Sequence, residues 1–121
     1  MPGVLVVEDE PDLLVLIEAV INRANEGLTV VGNATNGSEA IEQWRETEPD
    51  VILLDQQMPV MTGLEAAQYI LAEQPQQKII LYSAYLDEDT HRKAAEMGIK
   101  ACLPKGDLSR IPEALWSLGT G

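Results

Sequence analysis

An α/β domain built on a parallel sheet is predicted by three features of this 121-residue sequence. Short apolar runs alternate with segments of helical periodicity along the chain, the pattern of strand–helix–strand crossovers. The runs are continuously apolar rather than alternating, so they read as strands buried on both faces. Carboxylates stand directly after two of them. Glu8-Asp9 follow Val4-Leu5-Val6-Val7, and Asp55 follows Val51-Ile52-Leu53-Leu54. Open α/β sheets bind their ligands at the C-terminal ends of strands.

The elements follow in order. Residues 4–7 form the first strand. Leu13, Leu16, Ile17, Val20, Ile21 and Ala24 then recur at helical spacing, with Pro11 in the first turn, where its missing N–H costs little. Residues 28–32 read as the second strand. Asn36-Gly37 turns the chain, and Asn36 with Glu39 fits the cap of a helix carrying Ala40, Ile41 and Trp44. Pro49 ends that helix, and residues 51–54 form the third strand. A helix after Gly63 places Leu64, Ala67 and Leu71 on one face and closes at Pro75. Residues 78–82 contain the fourth strand. Residues 89–97 are helical by propensity, offer a core little beyond Ala94, Ala95 and Met97, and stop at Gly98. Residues 101–103 form a short fifth strand. Leu108, Ile111, Leu115 and Leu118 mark a last helix, which Pro112 delays until Arg110 or Ile111. The length suits one domain over residues 1–121.

Composition narrows the function. Hydrophobic residues make up 45% of the chain, enough for a core, and the absence of Phe leaves Leu, Ile, Val and Ala to build it. The net charge of −12, from 20 acidic and 8 basic residues, disfavours direct binding to nucleic acid or to anionic membranes. One cysteine, Cys102, forms no internal disulfide and fits a reducing compartment. No apolar run approaches the ~20 residues of a membrane span. A cytoplasmic location is the expectation.

If the strands are parallel, their ends bring Glu8, Asp9, Asp55, Ser83 and Lys105 to one edge. Two carboxylates about 4 Å apart repel by roughly 4 kcal/mol at an effective dielectric of about 20. Lys105 offsets one charge and a divalent cation offsets the rest. An all-oxygen set favours Mg²⁺ (or Mn²⁺) over zinc or copper. A carboxylate beside such a cation and a lysine is suited to attack phosphorus. Ser83 is placed to hydrogen-bond the phosphate on arrival. Taken singly, Asp9 or Asp12 also fits a cap of the first helix, Asp55 a turn or cap residue, Lys105 a solvated surface lysine and Ser83 a loop hydroxyl. His91 reads as solvent-facing and Cys102 as a small buried hydrophobe.

Four motifs in order carry a more specific reading. They are Val6-Val7-Glu8-Asp9-Glu10-Pro11, Asp55-Gln56-Gln57-Met58-Pro59-Val60-Met61-Thr62-Gly63, Ser83-Ala84 and Leu103-Pro104-Lys105-Gly106. The sequence resembles the receiver domain of bacterial two-component response regulators over essentially its whole length. The resemblance implies a flavodoxin-like (βα)₅ three-layer fold with strand order 2-1-3-4-5. It implies that Asp55 is the phosphoacceptor and that Glu8 and Asp9 are the acidic pair for Mg²⁺, one of them through water. The third protein ligand would be the backbone carbonyl of Gln57. Ser83 matches the switch hydroxyl, and Lys105 the lysine that contacts the phosphoryl group. The donor would be a histidine kinase, a phosphotransfer protein or a small acyl phosphate. Gln57 and Tyr85 stand at positions that tune phosphoryl lifetime. Cys102 occupies the place of the family's aromatic switch residue, and Tyr82 and Tyr85 are candidates for part of that role. The resemblance also implies an output domain or partner, self-association through the face made by the fourth helix, fifth strand and fifth helix, and transcription regulation where a DNA-binding domain is joined.

The chain is therefore expected to be a phosphorylation-driven switch, catalysing only its own phosphorylation and dephosphorylation. A degenerate receiver that binds partners without phosphorylation is the alternative. A phosphatase of the haloacid dehalogenase type would need an aspartate where Gln57 stands. A nucleotide or flavin binder would need a phosphate-cradling loop; Gly27 and Gly32 have the spacing, but Asn33-Ala34 replaces its lysine and hydroxyl residue.

Overall fold

Among the described residues of the computed structural model (2–24, 27–106 and 108–120), five strands alternate with five α-helices. The order is β1 Gly3–Val7, α1 Pro11–Arg23, β2 Thr29–Ala34, α2 Gly37–Thr47, β3 Val51–Asp55, α3 Gly63–Glu73, β4 Lys78–Ser83, α4 Glu88–Met97, β5 Ala101–Pro104 and α5 Ile111–Thr120. A single 3-10 turn, Leu108–Arg110, precedes α5. Every strand pairing is parallel, and the sheet runs β2-β1-β3-β4-β5. This is the flavodoxin-like order, with its switch point between β1 and β3.

The continuous apolar runs do bury both faces. Leu5, Val7, Ile52, Leu54, Ile79 and Leu81 point to a core closed by residues of α2, α3 and α4. Val4, Val6, Val51, Leu53, Ile80 and Tyr82 point the other way, to a core closed by residues of α1 and α5. Side chains that alternate along a strand thereby fill two separate layers.

Local chemistry sets the helix ends. Asn36 Oδ1 accepts from Glu39 N at 2.9 Å at the start of α2. Thr62 and Glu65 form a reciprocal capping box on α3. Asp87 Oδ1 accepts from Thr90 N at 2.8 Å on α4, and Gly98 ends that helix in the left-handed region at φ 96°. Neither Asp9 nor Asp12 caps α1; the cap position is Glu10, which makes no side-chain cap bond. At the N-terminal end of the sheet, Gln77 is buried and paired throughout. Its Oε1 accepts from Trp44 Nε1 at 3.0 Å, and its Nε2 lies 3.2 Å from the Lys78 carbonyl and 3.3 Å from that of Pro49.

Three expectations change. β2 lies at Thr29–Ala34 rather than at 28–32, because it follows β1 as far as Val7 paired with Ala34, with a register shift between Val4 and Leu5. Gly32 is inside this edge strand, so the Gly27–Gly32 spacing forms no phosphate loop. α4 buries only Ala94; Ala95 is exposed and Met97 half-buried, so the helix is held more weakly than its composition suggests. Cys102 is half-buried rather than buried, because β5 is the other edge strand.

Candidate functional site

The site forms at the C-terminal ends of β1, β3 and β4 and in the turn after β5. Backbone bonds between neighbouring ends hold it. Glu8 N donates to the Ala34 carbonyl at 3.0 Å, Gln56 N to Tyr82 at 3.0 Å, and Lys105 N to Ser83 at 3.0 Å. The β3–α3 loop folds tightly over Asp55. A Cβ on Gly63 would lie 2.4 Å from the Asp55 carbonyl oxygen, so only glycine fits there. Gly63 N donates to the Gln56 carbonyl at 3.0 Å, and Leu64 N to Gln56 Oε1 at 2.8 Å. Within this loop Val60 is fully exposed and takes φ 71°, a strained value for a β-branched residue.

Glu8, Asp55 and Ser83 are buried, Lys105 is mostly buried and Asp9 is exposed. Asp55 Oδ1 lies 3.0 Å from Lys105 Nζ and accepts from Gln57 N at 3.1 Å. Asp55 Oδ2 is buried and has no hydrogen-bond partner among the described residues. Glu8 Oε1 accepts from the Tyr82 hydroxyl and lies 3.3 Å from Lys105 Nζ, while its Oε2 accepts from Glu10 N at 3.0 Å. Ser83 Oγ donates to Gln57 Oε1 at 2.6 Å and accepts from Tyr85 N at 3.1 Å.

Burial and charge push the acids apart. Burial raises the Asp55 carboxyl, Lys105 pulls it down and the negative Glu8 raises it again; the balance is about 7. Burial also works against the charged Glu8, but Tyr82, the Glu10 N–H and Lys105 outweigh it and hold the carboxyl below its usual range. Lys105 is desolvated too, yet its two carboxylate partners raise it, so it stays an ammonium. Burial and Glu8 keep Tyr82 a neutral phenol. Burial also pushes the Cys102 thiol up.

The group suits a hard divalent cation. One carboxylate oxygen from each of Glu8, Asp9 and Asp55 lies within 4.8 Å of the others. The donors are all oxygens. The partnerless Asp55 Oδ2 is a buried acceptor short of a positive neighbour.

Of the five strand-end residues predicted to meet, Glu8, Asp9, Asp55 and Lys105 bring their side chains together, while Ser83 joins them through its backbone bond to Lys105 and through Gln57. Lys105 is not a solvated surface lysine, and Ser83 belongs to β4 rather than to a loop. Asp55 does make the local turn bond to Gln57 N, but that accounts for one oxygen only. The tyrosines divide. Tyr85 is 74% exposed, whereas Tyr82 is fully buried with its hydroxyl on Glu8. Cys102 pairs with Leu81 and packs toward the α2–α3–α4 core. Sequence reasoning missed the bond from Tyr82 to Glu8. The available signal was a phenol closing the aliphatic run Ile79-Ile80-Leu81, since a buried tyrosine needs a partner for its hydroxyl.

Comparison with known proteins agrees with this geometry. Residues 4–115 match the family model described as response regulator receiver domain. The chemotaxis protein CheY of Thermotoga maritima is 36% identical over 113 residues, covering 93% of this chain and 92% of that protein. The transcriptional regulatory protein LnrK of Bacillus subtilis is 32% identical over 119 residues, covering 97% of this chain, which spans only 54% of LnrK's length. The response regulator domain of Thermotoga maritima CheB superimposes with a TM-score of 0.90 at 26% identity, covering 100% of this chain and 98% of that one. The chain therefore belongs to the response regulator receiver family, whose members act as phosphorylation-dependent signalling switches and are not in themselves catalytic enzymes.

Proposed function

We propose that this receiver domain is switched by phosphorylation of Asp55, and that Asp55, the Gln57 carbonyl and the pair Glu8 and Asp9, one of them through water, would hold Mg²⁺. One observation carries the reading: Asp55 is a buried carboxylate with Lys105 at 3.0 Å on one oxygen and no partner among the described residues on the other. Such a group lacks only a cation and an electrophile. Bound at the acidic cluster, Mg²⁺ would offset its charge and neutralise the phosphoryl oxygens.

This chain's residues account for the rest. The Asp55 carboxylate attacks phosphorus, the bond from phosphorus to the donor's imidazole nitrogen or acyl oxygen breaks, and the electron pair leaves with the donor. Lys105 neutralises charge on the transferred group. Ser83 leaves Gln57 Oε1 and donates to a phosphoryl oxygen. Its movement reaches the Tyr85 backbone, which it already touches at 3.1 Å, and then α4, which has little burial to hold it. Gln57 and Tyr85 therefore tune phosphoryl lifetime. Cys102 carries no ring, so the signal leaves through the β4–α4 backbone. We assign the α4–β5–α5 face to output or self-association, a histidine kinase or phosphotransfer protein to the donor role, and the cytoplasm as location. Among the described residues no helix is long and apolar enough to cross a membrane. Transcription regulation, as in the name of LnrK, is one output this reading allows. No aspartate stands at Gln57 to act as a phosphatase acid, so turnover of phosphate esters is not expected.

The test is incubation with acetyl phosphate and Mg²⁺. The parent protein should gain one phosphoryl group, by intact mass, and Asp55→Asn none. Undiminished labelling of Asp55→Asn, or labelling that survives removal of divalent cations by EDTA, overturns the assignment.

A further inference from the structure

Two buried carboxylates in this site share the Lys105 ammonium. Lys105 Nζ lies 3.0 Å from Asp55 and 3.3 Å from Glu8. A phosphoryl group arriving at Asp55 would be a third claim on its three N–H donors. A further donor to Glu8 comes from β4. Tyr82 is fully buried on β4, its hydroxyl bonded to Glu8 Oε1 and its ring 5.2 Å from Lys105 Nζ. Its neighbours in the strand, Ile79, Ile80 and Leu81, are aliphatic and equally buried. Packing alone asks for no hydroxyl at this position.

Resting on the site reading above, we propose that Tyr82 is a positioning residue for the metal and the lysine. Its phenol pins Glu8 and so leaves Lys105 free for Asp55. The contacts around Glu8 and Lys105 support this. The Glu10 N–H holds Glu8 Oε2 at 3.0 Å, so with Tyr82 in place both Glu8 oxygens are fixed and the carboxylate keeps one orientation. Outer partners that orient metal-site carboxylates are worth roughly 10–100-fold in metal affinity. Without the phenol, Lys105 is the donor left near Glu8 Oε1 among the described residues, and Glu8 draws it away from Asp55. A neutral donor in the core thus performs for Glu8 the service that the ammonium performs for Asp55. The ring adds a second hold on Lys105, because an ammonium near an aromatic face is attracted to it.

The test is Mg²⁺ titration of the unphosphorylated protein by calorimetry, comparing the parent with Tyr82→Phe and Tyr82→Leu. Tyr82→Phe keeps the ring and its packing and should weaken Mg²⁺ binding about tenfold. Tyr82→Leu also removes the ring and should weaken it at least as much. A spectroscopic readout guards against a variant that fails to fold. With Tyr69→Phe and Tyr85→Phe, Tyr82 is the only one of the three tyrosines left. Its fluorotyrosine resonance in fluorine NMR should shift on adding Mg²⁺. A folded Tyr82→Phe with parental affinity, or a resonance indifferent to Mg²⁺ in a protein that binds it, overturns the proposal. Failure of the parent itself to bind Mg²⁺ would instead overturn the site reading on which it rests.

Discussion

The two ends of the sheet each bury a polar side chain, and they treat it in opposite ways. At the N-terminal end, Gln77 accepts from Trp44 and donates to backbone carbonyls, so its amide is fully paired. At the C-terminal end, Asp55 keeps one oxygen without a partner among the described residues and lies beside a second buried carboxylate. A satisfied buried amide specifies one arrangement and makes it rigid. An unsatisfied carboxylate raises the energy of the metal-free state and leaves a place for a cation. The helix that follows this second end, α4, buries Ala94 alone, whereas α3 buries six residues and carries a capping box. A carboxylate with one unpartnered oxygen among the described residues and a thinly packed helix therefore lie together, and the fully paired amide lies at the opposite end.

The sharpest way to break this comparison is Gln77→Ala. Truncation strands the Trp44 indole N–H and opens a cavity, and should cost about 3 kcal/mol in urea unfolding. A cost below about 1 kcal/mol would mean that the paired end is not rigid. The converse change is Asp55→Asn, which removes a strained charge from the other end. The Asp55 carboxyl is raised to about 7 in the fold, from the ordinary 3.8, so the folded protein binds that proton more tightly than the unfolded chain. The stability this contributes is complete below about pH 4 and is lost as pH rises to about 7. Asn has no such loss. In metal-free buffer Asp55→Asn should match the parent at low pH and exceed it increasingly as the pH rises toward 7, by a few kcal/mol at neutral pH. A gap that stays flat over that range removes the contrast. The smallest effect concerns the helices. Amides of α4 should exchange with solvent faster than those of α3, because α4 buries only Ala94 and its ion pairs of Asp89 with Arg92 and Lys93 are exposed and add little. Equal protection would detach α4 from the unpaired end.

The fold was legible because its signals are local and redundant. Continuous apolar runs, helical spacing and Pro and Gly punctuation placed every strand and helix among the described residues, and where β2 shifted the cause was pairing with β1 rather than any property of its own residues. The site was legible for a different reason. In a parallel sheet the chain returns in the same direction each time, so residues that end strands in the sequence end up together in space, and Glu8, Asp9, Asp55, Ser83 and Lys105 followed from position alone. Cys102 and Ala95 were misjudged because burial at an edge strand or on a thinly packed helix depends on what lies across from it.

The sequence by itself thus determined the architecture, the acidic edge and the family to which they belong. Only the tertiary structure decided how the charges are shared. Tyr82 and Glu8 are 74 residues apart, and nothing in the spacing says that a phenol meets a carboxylate there. The side-chain bond of Ser83 to Gln57 and the Asp55 oxygen without a partner among the described residues likewise appear only once the strands lie side by side. Hydrogen bonds reach about 3 Å and require direction, and periodicity along a chain carries neither.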